Sequence, residues 1–370
     1  MKILKPYSER LRRLRRHMIK AGLSGLWVTR PENRRYLSGY TATDPQLNET
    51  SGSLFITRRS QYLLTDSRYD LQAAREAKAY TVVVYQDGLV NTLTRLARNH
   101  RISKLGFEGD HVTVTTYNEM LGSLKGIELL SATGLVESLR LIKDQPEIRK
   151  IVRALRITET ALAETVNFMK PGLTEKEVAH YLEDRMVALG AEGAAFETIV
   201  ASGSNAALPH AIPSNRRIKE SETIIIDCGA KFQGYAADMT RTIFSGPPRR
   251  WMKEIYQLVR NAQLNALKNI KPGMTTVQAD ASARKIIEAG GYGPNFGHSL
   301  GHGVGLATHE APSLSQIRPT ELQEGMVVTI EPGIYIAGRG GVRLEEMVLL
   351  KKNGVRLLNQ DRTFFDFSPV

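Results

Sequence analysis

KPGLTEKEVAHYLEDRMVALGA runs from Lys170 to Ala191, and KPGMTTVQADASARKIIEAGGYG runs from Lys271 to Gly293. The offset is 101 residues, and in both copies a glycine, Gly190 or Gly291, stands 18 residues after the KPG glycine. Each copy reads as a helix stopped at KPG, a second helix, and then strands. Self-similarity at a fixed offset marks a repeated supersecondary unit, and the next segment of chain extends it in both copies. TIIIDCGAKFQGYAADMTRTIF (223–244) comes after the first and MVVTIEPGIYIAGRGGVRLEEMVLL (326–350) after the second. Both read as two apolar strands joined by a glycine-containing turn. Both carry an acid on each strand: Asp227 and Asp238, then Glu331 and Glu345.

A carboxylate inside a run such as Ile224-Ile225-Ile226-Asp227 is costly to bury unless it is paired or bound to a metal. Four such acids imply a shared positive centre. Arg241 and Arg343 would balance two of them, so a structural ion-pair network is the competing explanation. Between the acid pairs lies FGHSLGHGVGLATHE, Phe296 to Glu310, with His298, His302 and His309 among four glycines. Each glycine costs a helix about 1 kcal/mol, so the stretch reads as a loop that brings backbone close to something. Carboxylates with an imidazole form a hard, oxygen-rich donor set suited to Mn, Fe, Co or Zn. Four acids exceed what one divalent ion needs, which favours two ions about 3.5–4 Å apart. Cys228 alternates with Asp227 on its strand and is read as a core residue, not a ligand.

Working outward, residues 24–109 alternate short β-rich runs (SGLWVT, SGSLFIT, YLLTD, TVVVY, KLGFE) with helical segments (RYDLQAAREA, VNTLTRLARNH), a compact α/β pattern. DQPEIRKIVRALRITETALAETVNFMKPG then reads as one long helix with Pro146 in its first turn. The domain boundary is placed just before it, giving domains 1–140 and 141–370. The 370 residues carry a net charge of +12. The excess is uneven, with 25 Lys/Arg against 15 Asp/Glu in residues 1–150 and 25 against 23 in the rest. Arg10, Arg12, Arg13, Arg15 and Arg16 concentrate it on a helix with Ser8 as its expected N-cap and Gly22 as its stop. No aromatic or glycine motif accompanies these arginines, so no nucleic-acid partner is expected. The basic start lacks an apolar signal core, and no run approaches the roughly 18 apolar residues of a membrane span. With a single cysteine there is no internal disulfide, and a cytoplasmic enzyme is expected.

LPHAIPSNRRI, DCGAKFQGYAADMTRT, GHSLGHGVGLATHEAP, TIEPGIY and GGVRLEE, in this order, resemble the pita-bread metallopeptidases, nearest the Xaa-Pro aminopeptidase (aminopeptidase P) and prolidase group. LLTDSRYDLQA is similar to that group's first domain. The resemblance implies an N-terminal mixed α/β creatinase-like domain followed by a pita-bread domain with internal duplication. It implies two divalent metal ions, Mn2+ first with Co2+, Zn2+ or Fe2+ open. Asp227 would chelate one, Asp238 and Glu345 would bridge, and His302 and Glu331 would complete the second. It also implies that Glu331 shuttles a proton, that His210 and His309 contact substrate, that His298 lines the proline pocket and that Arg343 supports the acids. The implied partners are a peptide substrate and a second copy in a homodimer. The TDSRY run tilts the expectation toward an Xaa-Pro aminopeptidase, with a prolidase restricted to dipeptides as the alternative. Methionine aminopeptidases usually lack such a first domain, creatinase-like relatives lack the acids, and non-enzymatic pita-bread modules generally lose ligands. Tyr235 is placed in the hairpin turn. His17, His100, His111 and His180 are read as ordinary surface residues, and TATDPQLNETSG (41–52) is the oddity of the first domain.

Overall fold

The computed structural model describes residues 5–44, 46 and 49–361. Pro45, Leu47 and Asn48, inside TATDPQLNETSG, and residues 1–4 of the basic start lie outside the described residues. The chain forms two compact units, Met1–Arg140 and Leu141–Val370.

The first unit runs α1 (Lys5–Lys20), β1 (Gly25–Val28), α2 (Pro31–Ser38), β2 (Ser53–Thr57), β3 (Gln61–Thr65), α3 (Asp70–Glu76), β4 (Thr81–Val84), α4 (Leu89–Asn99), β5 (Lys104–Phe107), α5 (Val114–Ser123), β6 (Glu128–Ser131) and α6 (Glu137–Arg140). The strands form one mixed sheet in the order β4-β3-β2-β1-β5-β6. Helix α1 is held by its buried stripe of Leu11, Leu14 and Met18, while its arginines line the other faces. It starts ahead of Ser8, which therefore lies inside the helix and is not its cap. Gly22, at φ +70°, ends it. Strand β6 escapes a sequence reading because ELLS is too short to show alternation, and among the described residues β5 is its one partner.

The second unit opens with α7 (Gln145–Phe168). Its N-terminus is closed reciprocally: Asp144 accepts from Glu147 N at 2.8 Å and Glu147 accepts from Asp144 N at 2.8 Å. Helix α8 (Glu175–Ala188) leads to β7 (Gly193–Ala194), β8 (Ile199–Ser202), β9 (Thr223–Cys228), β10 (Ala230–Phe232), β11 (Tyr235–Ala236) and β12 (Met239–Phe244). Helices α9 (Arg250–Asn269) and α10 (Thr276–Ala289) begin the second copy. β13 (Gly301–Gly303), β14 (Glu310–Leu314), β15 (Val327–Ile330), β16 (Gly333–Ile336), β17 (Gly340–Arg343), β18 (Glu346–Lys351) and β19 (Gly354–Leu357) complete it. The duplication extends to hydrogen bonds. Gly172 N donates to Ile218 O and Ile218 N to Leu173 O, both at 2.9 Å; Gly273 N donates to Leu322 O and Leu322 N to Met274 O, both at 2.8 Å. Helices α8 and α10 carry the same capping box, Thr174 with Glu177 and Thr275 with Gln278.

Each repeat also holds a long hairpin, broken in the middle. β9 pairs with β12 and β10 with β11; β15 pairs with β18 and β16 with β17. The register stays continuous across each break. Three of the four acids are consequently not within strands, contrary to the sequence expectation: Asp238, Glu331 and Glu345 sit in the breaks, and only Asp227 lies in a strand. The breaks stay buried: Leu344 remains in the apolar core, while Asp238 and Glu345 are gathered with His302. Tyr235 is in β11 and not in the turn, and its hydroxyl donates to Glu147 Oε1 at 3.0 Å. Cys228 is fully buried, with its thiol toward Met239 O. Of His17, His100, His111 and His180, only His180 is exposed; His100 bonds Tyr62 Oη at 2.7 Å, His111 bonds Thr29 Oγ1 at 3.1 Å, and His17 bonds Ser138 Oγ at 3.3 Å. Among the described residues no helix is long and apolar enough to cross a membrane.

Candidate metal centre

The hairpin breaks and the glycine-rich loop meet at one place. The register pairing Ile330 with Glu346 and Gly333 with Arg343 sets Glu331 opposite Glu345. Asp238 lies beside β12, opposite Gly229, where a Cβ would come within 1.9 Å of Ala237 O. His302 is the middle residue of the three-residue β13. Its neighbours Gly301 and Gly303 let two backbones close in, since a Cβ on either would stand 2.1 Å from Thr329 O or 2.2 Å from Ala311 O. This is why the histidine sits among glycines: side-chain bulk there is incompatible with the sheet.

Ligand atoms of Asp238, His302 and Glu345 lie within 4.8 Å of one another. His302 Nε2 is 3.5 Å from Asp238 Oδ2 and 3.2 Å from Glu331 Oε1. Its Nδ1 faces Gly303 O at 3.1 Å, an outer contact that fixes the ring. Asp227 shares a cavity of about 280 Å3 with Asp238, His302, His309 and His210. The His309 ring lies 4.1 Å from that of His302. His298 also lines a larger, open cavity of about 850 Å3 beside Arg284 and Phe296, and its charge still reaches Glu331.

Of the two arginines able to balance the acids, Arg343 bonds one of them directly. Its Nη2 donates to Asp227 Oδ2 at 2.7 Å, whereas Arg241 pairs with Glu346 at 3.3 Å. Arg343 also donates to Thr240 Oγ1 (3.0 Å), Tyr335 Oη (2.8 Å) and Pro209 O (3.1 Å). Tyr335 in turn bonds His298 Nε2 at 2.9 Å, so it joins the second cavity to the acids. Tyr335 and Thr240, which donates to Glu345 Oε2 at 2.7 Å, are site residues that lie within the quoted motifs but were given no site role from the sequence. Tyr335 stands four positions after Glu331, but its contacts span 37 positions to His298 and could not be read from spacing.

The charges do not balance within the chain. Burial, and after it the charges of Glu345, Asp227 and Glu331, pushes the Asp238 carboxyl well above the usual range. Burial, then Glu331 and Asp227, does the same to Glu345. Asp227 is raised by burial against the pull of Arg343. Glu331 goes the other way: burial opposes its charge, yet the His302 hydrogen bond and charge hold it at about 2. Among the described residues, Asp227 Oδ1 and Glu345 Oε1 are buried without a hydrogen-bond partner. Such oxygens are normally satisfied. Repelling carboxylates, two orphaned oxygens and a presented imidazole fit a divalent cation.

Fold and site together define a class, a metal-dependent hydrolase on a duplicated frame. The chain belongs to metallopeptidase family M24, whose family model matches residues 149–352, and a creatinase/prolidase N-terminal domain model matches residues 10–142. It is 38% identical to the Xaa-Pro dipeptidase of Pyrococcus furiosus over 95% of this chain and 98% of that one. It resembles the structure of an Xaa-Pro dipeptidase from Bacillus anthracis with TM-score 0.91 and 39% identity, covering 96% of this chain and 98% of the other. An X-Pro aminopeptidase from Thermotoga maritima is similar at TM-score 0.88 and 35% identity, covering 95% and 98%.

Proposed function

We propose that the protein hydrolyses dipeptides with proline in the second position. The observation that carries it is the buried grouping of Asp238, His302 and Glu345 with Glu331 and Asp227 beside it. In this proposal those five residues hold two divalent ions, manganese first. When bound, such ions polarise a water and the scissile carbonyl. Glu331 Oε1, next to His302 Nε2, receives and returns the proton. His309 and His210, in the same cavity, hold the substrate's carbonyl oxygen. Arg343 keeps Asp227 oriented. A bond preceding proline has no N–H, so the site needs a wall for the ring more than an acceptor for a donor. His298, fixed by Tyr335 and edge-on to Phe296 at 5.0 Å, is the wall proposed. Residues 1–140 and 141–370 serve as the two domains of a cytoplasmic homodimer.

The sequence tilt toward longer peptides gives way because the Pyrococcus furiosus and Bacillus anthracis relatives, both named as dipeptidases, match nearly the whole chain. The Thermotoga maritima structure supports the aminopeptidase as a second reading. Leu-Pro and Leu-Pro-Gly, assayed side by side with Mn, Co and Zn, separate them. Higher kcat/KM on Leu-Pro is expected; an equal or better tripeptide would support the aminopeptidase. Asp238→Ala should lose at least one ion by metal analysis, and full retention of two would remove Asp238 from the centre.

A further inference from the structure

His210 is exposed, and among the described residues no hydrogen bond or ion pair holds its ring. Its placement in the cavity therefore depends on the backbone that carries it. That backbone is held beside the histidine by Arg343, whose Nη1 donates to Pro209 O at 3.1 Å, and along the rest of the loop by one fully buried carboxylate, Glu175, the first residue of α8. Glu175 accepts from Ser202 N and Oγ (2.7 and 2.8 Å) before the loop. It accepts from Asn205 Nδ2 (3.1 and 3.0 Å) within it, and from Ser214 N and Oγ (3.1 and 2.6 Å) after it. The helix start answers in kind: Glu175 N donates to Arg216 O at 3.1 Å and Lys176 N to Ser214 O at 3.2 Å. Groups left unsatisfied at a helix N-terminus are thus met by the loop, and the carboxylate sits at the positive end of the helix.

The duplication supplies an internal comparison. Thr276 takes the place of Glu175 in the second copy. It is also buried, donates to Arg318 O at 3.0 Å and accepts from Thr320 N at 3.1 Å. Its contacts lie on one side only, at Arg318 and Thr320, several residues beyond His309. A hydroxyl is enough to tether that loop, whereas a carboxylate with contacts on both sides stands where a site histidine is presented. Hydrogen bonds to an ionised acceptor are roughly twice as strong as neutral ones, so this tether is stiff as well as central.

We propose that Glu175 is a positioning residue: it holds the 202–214 loop in the conformation that presents His210 to the cavity. The proposal rests on the role of His210 in holding the substrate's carbonyl oxygen. Glu175→Gln keeps the volume but sets an NH2 among donors, which leaves them unpaired. The test uses the metal-loaded full chain on Leu-Pro and compares E175Q, H210A and the double variant. N205A, which removes two of the contacts and leaves the carboxylate, is a milder variant should E175Q fail to fold. E175Q should lower kcat about tenfold or more with a smaller change in KM and unchanged metal content. N205A should move kcat the same way by less. In the H210A background either change should add less than about twofold, because the residue acts through His210. Undiminished kcat in both E175Q and N205A overturns the proposal, as does a loss that multiplies with that of H210A. An H210A protein with full kcat overturns instead the role given to His210.

Discussion

Arg343 shows how much of the centre hangs on one side chain. Its planar fork reaches Asp227, Tyr335, Thr240 and Pro209 together, a geometry an ammonium group cannot reproduce. Arg343→Lys should therefore lower activity about 10–100-fold, the usual effect of losing an outer partner of a metal ligand. Steady-state kinetics at matched metal content is the check, and a lysine variant as active as the parent would show that the fork is dispensable. Gly301 is the second sensitive position. An alanine methyl there would meet Thr329 O at 2.1 Å, so Gly301→Ala should destabilise by about 1–3 kcal/mol through overpacking. Urea denaturation reads this directly; an unchanged midpoint would mean that β13 can move aside.

At the level of elements, the two repeats use one device at their helix starts. Thr275 accepts from Gln278 N at 3.2 Å while Gln278 Oε1 accepts from Thr275 N at 2.8 Å. Thr275→Ala should cost about 1 kcal/mol and leave kcat nearly unchanged, because the neighbouring stretch, though Ser315, Gln316 and Ile317 line the His298 cavity, supplies none of the five ligand candidates and neither His210 nor His309. A marked fall in kcat with a normal urea midpoint would contradict this separation. The long helix α7 was readable because its signals are local: Asp144, Pro146 and Glu147 lie within one turn, and KPG follows both first helices, whereas Ser8 misled as a cap because α1 begins ahead of it. The breaks in the hairpins were not readable. GGVRLEEMVLL scans as one apolar strand, and only the pairing of β16 with β17 and of β15 with β18 shows that Leu344 and Glu345 stand outside the ladder.

For the whole molecule, the crowding of carboxylates sets a pH dependence. In the metal-free fold Asp238, Glu345 and Asp227 have raised pKa values. An acid raised on folding contributes stability that is full below its unfolded value, about 4, and is lost as pH rises through the folded value. Glu331, held at about 2, contributes in the opposite sense, with its stability present above the ordinary glutamate range and lost below it. Three acids outweigh one, so chelator-treated protein should have a lower Tm at pH 8 than at pH 5, and added metal should raise Tm more at pH 8. Calorimetry on both forms tests this, and an equal gap at the two pH values would argue against repulsion among the acids.

The sequence by itself determined the duplicated frame, the α/β pattern of the first unit and the metallopeptidase resemblance. Each of these is written in short-range order: a KPG repeat, apolar runs interrupted by acids, histidines among glycines. Tertiary structure alone decided which groups meet. Arg343 turned to Asp227 while Arg241 turned to Glu346; Tyr335 joined His298 to that arginine; Glu175 closed on a loop beginning 27 residues away. Burial selects such partners by geometry and desolvation, and neither is encoded in the spacing of residues along the chain.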